Sequence, residues 1–145
     1  MSIVVEIVQE PTMELVASLN ALLPQLSTSA PPLSVAGVLE MVKSPAITLL
    51  VALSEGRVVG MLTLAIFTIP TGVRAWIEDV VVDEAARGQG VGEALTSEAI
   101  LRAEARGARS IDLTSRPSRE AANSLYLKLG FARRETNVYR FFIES

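Results

Sequence analysis

Three glycines at alternate positions follow an arginine in the segment Arg87-Gly88-Gln89-Gly90-Val91-Gly92. The β-branched run Val80-Val81-Val82 lies just upstream, and an amphipathic helical pattern begins at about Val91. A strand therefore hands over to a helix at these glycines. Glycine permits backbone conformations and close approaches that a Cβ would block. A helix N-terminus offers unpaired N–H groups and a partial positive charge, which together suit a phosphate. Arg87 adds a formal charge, and arginine grips phosphate oxygens bidentately.

Two other phosphate motifs fail on spacing. A nucleotide-binding P-loop needs Gly-Lys-Ser/Thr after its glycines, whereas Glu93-Ala94 follows Gly92. A dinucleotide fingerprint would place its third glycine at the position of Glu93, and it belongs after a chain's first strand. A lone Gly-x-Gly is more often a plain flexible turn. Three alternating glycines after an arginine, at a strand-to-helix junction, favour an anion site.

The chain has no cysteine and no histidine. Thiolate nucleophiles, disulfides, thiolate metal sites and the commonest general base are all excluded. Chemistry must run on carboxylates, tyrosine, lysine, hydroxyls or the backbone. Glu78 and Asp79 are adjacent in a strand pattern, so regular pleating would aim them at opposite faces. In that pleat Val80 and Val82 alternate with Glu78 on one side, and all three valines can equally pack a core. Tyr126 is one of two tyrosines and falls on a later helix, with Asn123 one turn before it on the same face. By spacing alone Tyr126 reads as a packing residue.

The elements that must position these groups are legible from pattern. Ile3–Val8 predicts a first strand, and Pro11-Thr12 opens a helix with Met13, Val16, Leu19, Leu22 and Leu23 at helical spacing. A loop over 27–33 and a short helix over Ser34–Val42 follow. Ile47–Leu53 and Val58–Phe67 predict a hairpin about Glu55-Gly56, and Ala75–Val82 a fourth strand. The helix after the glycines runs to about Arg106, where Gly107 suits a C-terminal cap. Ser110–Thr114 then predicts a fifth strand, Arg119–Leu129 a helix, and Phe131–Arg134 and Val138–Ile143 two closing strands. Strands 4 and 5, joined through a helix, should be parallel neighbours, while the hairpins are antiparallel. The glycine segment then lies at the C-terminal end of a strand, where open α/β sheets bind ligands.

At 145 residues the chain suits one domain over 1–145, with a core of useful size. A net charge of -3, with no basic stretch, excludes nucleic acid as an expected partner. The apolar segments are too short or too interrupted to span a bilayer, and the N-terminus lacks the pattern of a signal peptide. No membrane partner and a cytoplasmic location are therefore expected.

Arg87-Gly88-Gln89-Gly90-Val91-Gly92 resembles the Arg/Gln-x-x-Gly-x-Gly/Ala signature of the GNAT superfamily of N-acetyltransferases. Its flanks, Ile77-Glu78-Asp79-Val80-Val81-Val82-Asp83 and Asn123-Ser124-Leu125-Tyr126-Leu127-Lys128-Leu129-Gly130-Phe131, are similar to that family too. The resemblance is specific over 75–142 and topological over 1–70. It implies an α/β (mixed α+β) fold: a twisted, mostly antiparallel sheet of about seven strands, about four helices, and parallel strands 4 and 5 splayed apart.

By that resemblance the cofactor is acetyl-CoA, with no metal. Its pyrophosphate would rest on residues 87–92 and its pantetheine arm along Val80, Val81 and Val82, where the Val80 N–H would polarise the thioester carbonyl. Asn123 would bond the cofactor's amides. Glu78 would act as base through ordered water, or would orient the substrate, and Tyr126 would protonate the departing thiolate. Arg119 stands where many relatives carry asparagine. The implied activity is acetyl transfer to a primary amine of a small molecule, by direct attack in a ternary complex. A protein or peptide N-acetyltransferase and a non-catalytic acyl-CoA-binding module are the alternatives. The apolar terminal strand and the family's habit together lead us to expect a homodimer.

Overall fold

The computed structural model describes residues 2–144. Its elements run β1 (Ile3–Ile7), α1 (Met13–Leu26), α2 (Val35–Lys43), β2 (Ile47–Ser54), β3 (Arg57–Ile69) and β4 (Gly72–Val82). A single 3-10 turn at Glu84–Ala86 leads to α3 (Val91–Ala105), β5 (Ile111–Asp112) and α4 (Glu120–Lys128). Local chemistry accounts for the junctions. Thr12 and Ser34 cap α1 and α2 by accepting from the N–H groups of Leu15 and Gly37 at 3.1 and 3.0 Å. The β2–β3 hairpin closes on Glu55 and Gly56, both at positive φ, the geometry that a tight two-residue turn demands.

One sheet has the order β1-β2-β3-β4-β5. The first three pairings are antiparallel, and β4–β5 is parallel. One face packs against α3 through Leu50, Leu62, Leu64 and Ile77, which meet Val91, Leu95 and Ala99. The other packs against α1 and α2 through Leu49, Val51, Met61 and Val81, which meet Val16, Leu19 and Val38. The mixed α+β class, the parallel β4–β5 pair and the four helices are as the sequence predicts.

The strand count is not. The sheet has five strands rather than seven, because the predicted strands Phe131–Arg134 and Val138–Ile143 do not form. A strand exists only by pairing, and after Phe131 the described chain joins no ladder and is exposed at every residue. β5 is also shorter than Ser110–Thr114, since it pairs with β4 only at Ala75↔Ile111 and Trp76↔Asp112.

Gly60 fixes how closely α3 approaches the sheet. A Cβ there would lie 2.9 Å from Val91 Cγ1, 3.1 Å from Leu95 Cδ1 and 3.1 Å from the Val81 carbonyl oxygen. Gly60→Ala should therefore push α3 outward and cost about 1–3 kcal/mol, the usual range for overpacking. Chemical denaturation reads this directly, and an unchanged midpoint would show that α3 has slack.

Candidate active site: an open strand edge beside a glycine-rich helix start

β4 changes character halfway along its length. Met61 pairs with Val81 and Thr63 with Glu78, so one extra residue of β4 is accommodated opposite β3. Asp79 carries the strain of this bulge, with φ at 51°. Side chains therefore exchange faces across it. Ile77 packs on the α3 side, while Val81 packs on the α1–α2 side and Val80 and Val82 on the α3 side. The expected alternation, with Val80 and Val82 on the same side as Glu78, is thus corrected. The extra residue shifts the pleat by one, so Glu78 shares the α1–α2 side of the sheet with Trp76.

β4 also loses a neighbour along its length. β5 follows β4 only as far as Trp76, so from Ile77 onward β4 is paired with β3 alone. Its other edge, including Val80, Val81 and Val82, is free to accept an extended ligand as a strand would. Glu78 and Asp79 are exposed, Val80 and Val82 half-buried, and Val81 buried.

The loop after β4 is held from a distance. Gln25 Nε2 donates to Asp83 Oδ1 at 3.2 Å, and the Glu84 N–H donates to Gln25 Oε1 at 3.1 Å. One α1 side chain thereby clamps the turn that leads to Arg87. Gly88 and Gly90 both lie at positive φ, 79° and 83°, and a methyl group on either would meet no atom within 4 Å. Gly90 caps α3 without a side-chain bond, and the N–H groups of residues 88–92 take no acceptor among the described residues. Arg87, Gly88, Gln89 and Gly90 are exposed, Gly92 is half-buried, and Val91 is buried under the sheet. Unpaired donors, a helix N-terminus and an arginine converge here, a chemistry that fits a pyrophosphate.

α4 packs against the start of α3. A Cβ on Gly92 would sit 3.2 Å from Leu125 Cδ2, and Lys128 Nζ pairs with Glu93 Oε1 at 2.8 Å. These contacts bring the Tyr126 helix against the start of α3. Tyr126 is buried, with its ring edge-on to Phe131 at 5.7 Å. Its hydroxyl has no hydrogen-bond partner among the described residues. Burial raises the Tyr126 pKa above its usual value, partly opposed by the Arg119 charge. The phenol is therefore protonated at neutral pH and able to donate.

Asn123 has a structural task beside any binding one. Its Nδ2 donates to the carbonyls of Arg116 and Arg119 at 2.9 and 2.8 Å, which shapes the turn into α4. Arg119, the N-cap residue, makes no side-chain cap bond of its own. Its Oδ1 is left to accept.

The sequence-predicted residues thus fall into two groups: 87–92 at the start of α3, and Asn123 and Tyr126 on α4, which packs against that start. Glu78 lies before the bulge. Sequence reasoning missed Gln25, whose partner is 58 positions away and leaves no local signal. It also missed Thr96, buried within α3 with Oγ1 donating to the Gly92 carbonyl at 2.8 Å. Among the described residues no group of three or more acidic side chains could hold a metal ion, and no helix is long and apolar enough to cross a membrane.

Known proteins share this fold. A transcriptional regulator from Bacillus halodurans is 30% identical over 97% of this chain and 100% of its own, with a TM-score of 0.79. An acetyltransferase from Trypanosoma brucei is 29% identical over 97% of this chain and 100% of its own, with a TM-score of 0.81. An aminoglycoside acetyltransferase from an uncultured soil metagenomic sample is 25% identical over 99% of this chain and 100% of its own, also at 0.81. No curated protein matches the sequence. The model of the acetyltransferase (GNAT) family matches residues 17–131, from α1 through the glycine segment to Phe131 beyond α4, and on that match the chain belongs to the GNAT acetyltransferases.

Proposed function

We propose that this chain, acting as one domain, transfers an acetyl group from acetyl-CoA to a primary amine of a small cationic molecule, by direct attack in a ternary complex. The observation that carries the reading is the parting of β4 from β5 beyond Trp76 and Asp112, with the unpaired N–H groups of residues 88–92 beside the opening. Bound acetyl-CoA supplies an activated acyl group as its thioester. The residues of the chain do the rest. The N–H groups of 88–92 and Arg87 hold the pyrophosphate, and the free edge at Val80–Val82 aligns the pantetheine arm. The Val80 N–H polarises the carbonyl, Asn123 Oδ1 accepts from a cofactor amide, and Tyr126 gives its proton to the leaving sulfur.

The acceptor side is acidic and aromatic. Trp76 pairs with Asp112 in parallel register, which places both on one face together with Glu78 two residues along β4. Two carboxylates and an indole suit a cation. Similarity to an aminoglycoside acetyltransferase supports a polycationic small molecule over a peptide.

A lysine-like amine, with a pKa of about 10.4, must lose a proton before attack, at a cost of roughly 4–5 kcal/mol at neutral pH. Glu78 takes it, through water. Release of CoA thiol with a panel of aminoglycosides, polyamines and lysine peptides tests the function; no release with any amine would overturn it. Within that assay Glu78→Gln should lower kcat by about 10–100-fold at pH 7. The deficit should shrink as pH approaches the amine's own pKa, where no base is needed. A deficit that appears only in KM, at every pH, would make Glu78 an orienting charge.

A further inference from the structure

The tip of the β3–β4 hairpin extends past its neighbours in the sheet. β2 pairs with β3 only as far as Ala65, whereas β3 and β4 stay paired through Phe67↔Arg74 to Ile69↔Gly72. The β3 and β4 members of the α1–α2 core, Met61 and Val81, lie at the other end of these strands. Val73, Ala75 and Ile77 face the α3 side, so Arg74 lies on the opposite side, in line with Trp76. Phe67 and Ile69, across the ladder from Arg74 and Gly72, share that side and are 37% and 39% exposed.

Two guanidinium groups converge on this tip. Arg74 Nη2 donates to Thr71 Oγ1 at 2.9 Å, and Arg109 Nη1 donates to the Thr71 carbonyl at 3.2 Å. Arg109 arrives from the turn between α3 and β5, where its N–H donates to the Val73 carbonyl at 2.9 Å. Gly72 makes room for both. Its φ is 128°, and a Cβ there would lie 2.8 Å from Arg109 Cδ and 3.7 Å from Arg74 Nη1. Like charges gathered at one turn repel, and among the described residues no carboxylate pairs with either arginine. Arg74 Nη1 is also buried without an acceptor, an uncommon and costly state for a charged donor. Arg109 is exposed, so a swing of its side chain uncovers that nitrogen.

We propose that the tip of the β3–β4 hairpin binds a small organic oxyanion, a carboxylate or phosphate monoester on a short apolar body. Its oxygens lie between Arg74 and Arg109, and its body rests against Phe67 and Ile69. Guanidinium groups meet either oxyanion through paired N–H donors, and the anion offsets the repulsion between them. This site is at the start of β4, whereas Val80–Val82 close the strand and residues 88–92 lie beyond it. Arg74 and Glu78 are four residues apart, about 14 Å of strand, so an anion held at the tip does not touch Glu78. The proposal does not rest on the acetyl-transfer reading.

Benzoate and phenyl phosphate are the probes, titrated into isotope-labelled protein in saturating CoA and followed by amide NMR. Benzylamine is the cationic control. A saturable shift of the Thr71, Gly72 and Arg109 amides is expected with at least one anion, with Kd on the order of 1 mM, and none with benzylamine. The anion that binds more tightly identifies the oxyanion. Arg74→Gln and Arg109→Gln should each weaken that binding about 10-fold or more, with circular dichroism unchanged. Arg109 is exposed and bonds only to the turn, so its variant decides the matter even where Arg74→Gln does not fold. No shift with either anion would overturn the proposal, as would equal shifts with benzylamine. So would anion binding that Arg109→Gln leaves intact, or shifts confined to residues 88–92.

Discussion

Tyr126→Phe should leave cofactor affinity and melting temperature nearly unchanged while turnover falls about 10²–10⁴-fold, the span expected for loss of a general acid. The substitution removes one hydroxyl that bonds nothing within the described chain, and it keeps the ring that packs edge-on against Phe131. With neither histidine nor cysteine, few side chains can replace the lost donor. The pH dependence follows from the direction of the pKa shift. Burial holds the phenol protonated to higher pH than a free tyrosine, so Tyr126 contributes no loss of activity in the neutral range. Any decline of kcat in the neutral range must come from another group. A variant with unchanged kcat and a lower melting temperature would return Tyr126 to the core.

The second large effect is expected at Gly90. This residue caps α3 at φ 83°, a conformation that a β-branched side chain rarely adopts, and the space over it is open. Gly90→Val should both distort the helix start and put methyl groups where phosphate oxygens must approach. Loss of two charge-assisted hydrogen bonds, at about 1.5–3 kcal/mol each, weakens CoA binding by roughly 10²-fold or more. Titration calorimetry gives the affinity, and circular dichroism shows whether the fold survives. The Lys128–Glu93 pair and the packing of Leu125 over Gly92 anchor α3 independently of the loop. Unchanged affinity in a folded variant would move the anion site away from residues 88–92.

Much of the site was legible because its signals are local. Alternating glycines at a strand-to-helix junction announce themselves within six residues, and the hairpin about Glu55-Gly56 and the caps at Thr12 and Ser34 are equally short-range. The misreadings share a different origin. Val138–Ile143 has the composition of a strand, yet composition cannot supply the partner that makes one. Ile77–Val82 reads as uninterrupted strand; aspartate tolerates positive φ better than most residues, but that tolerance alone does not mark Asp79 as a bulge. The Gln25 clamp joins residues that only the completed fold brings together. Pairing, bulging and long-range hydrogen bonding are decided by the rest of the molecule, and a window of sequence does not contain it.

The extra residue at Asp79 also limits how this protein can be recombined. It sets the phase between two halves of one strand: the half with Trp76 and Glu78, where we propose the acceptor binds, and the half with Val80 to Val82, where we propose the cofactor lies. Deleting a single residue here would rotate everything downstream by half a pleat, turning Val81 out of one core and Val80 and Val82 out of the other. Point substitutions at 79 are therefore far milder than any change of length. A chimera that borrows the first half of β4 from a relative must carry its splice on the same side of this bulge in both parents, or Val80 to Val82 will arrive facing the wrong layers.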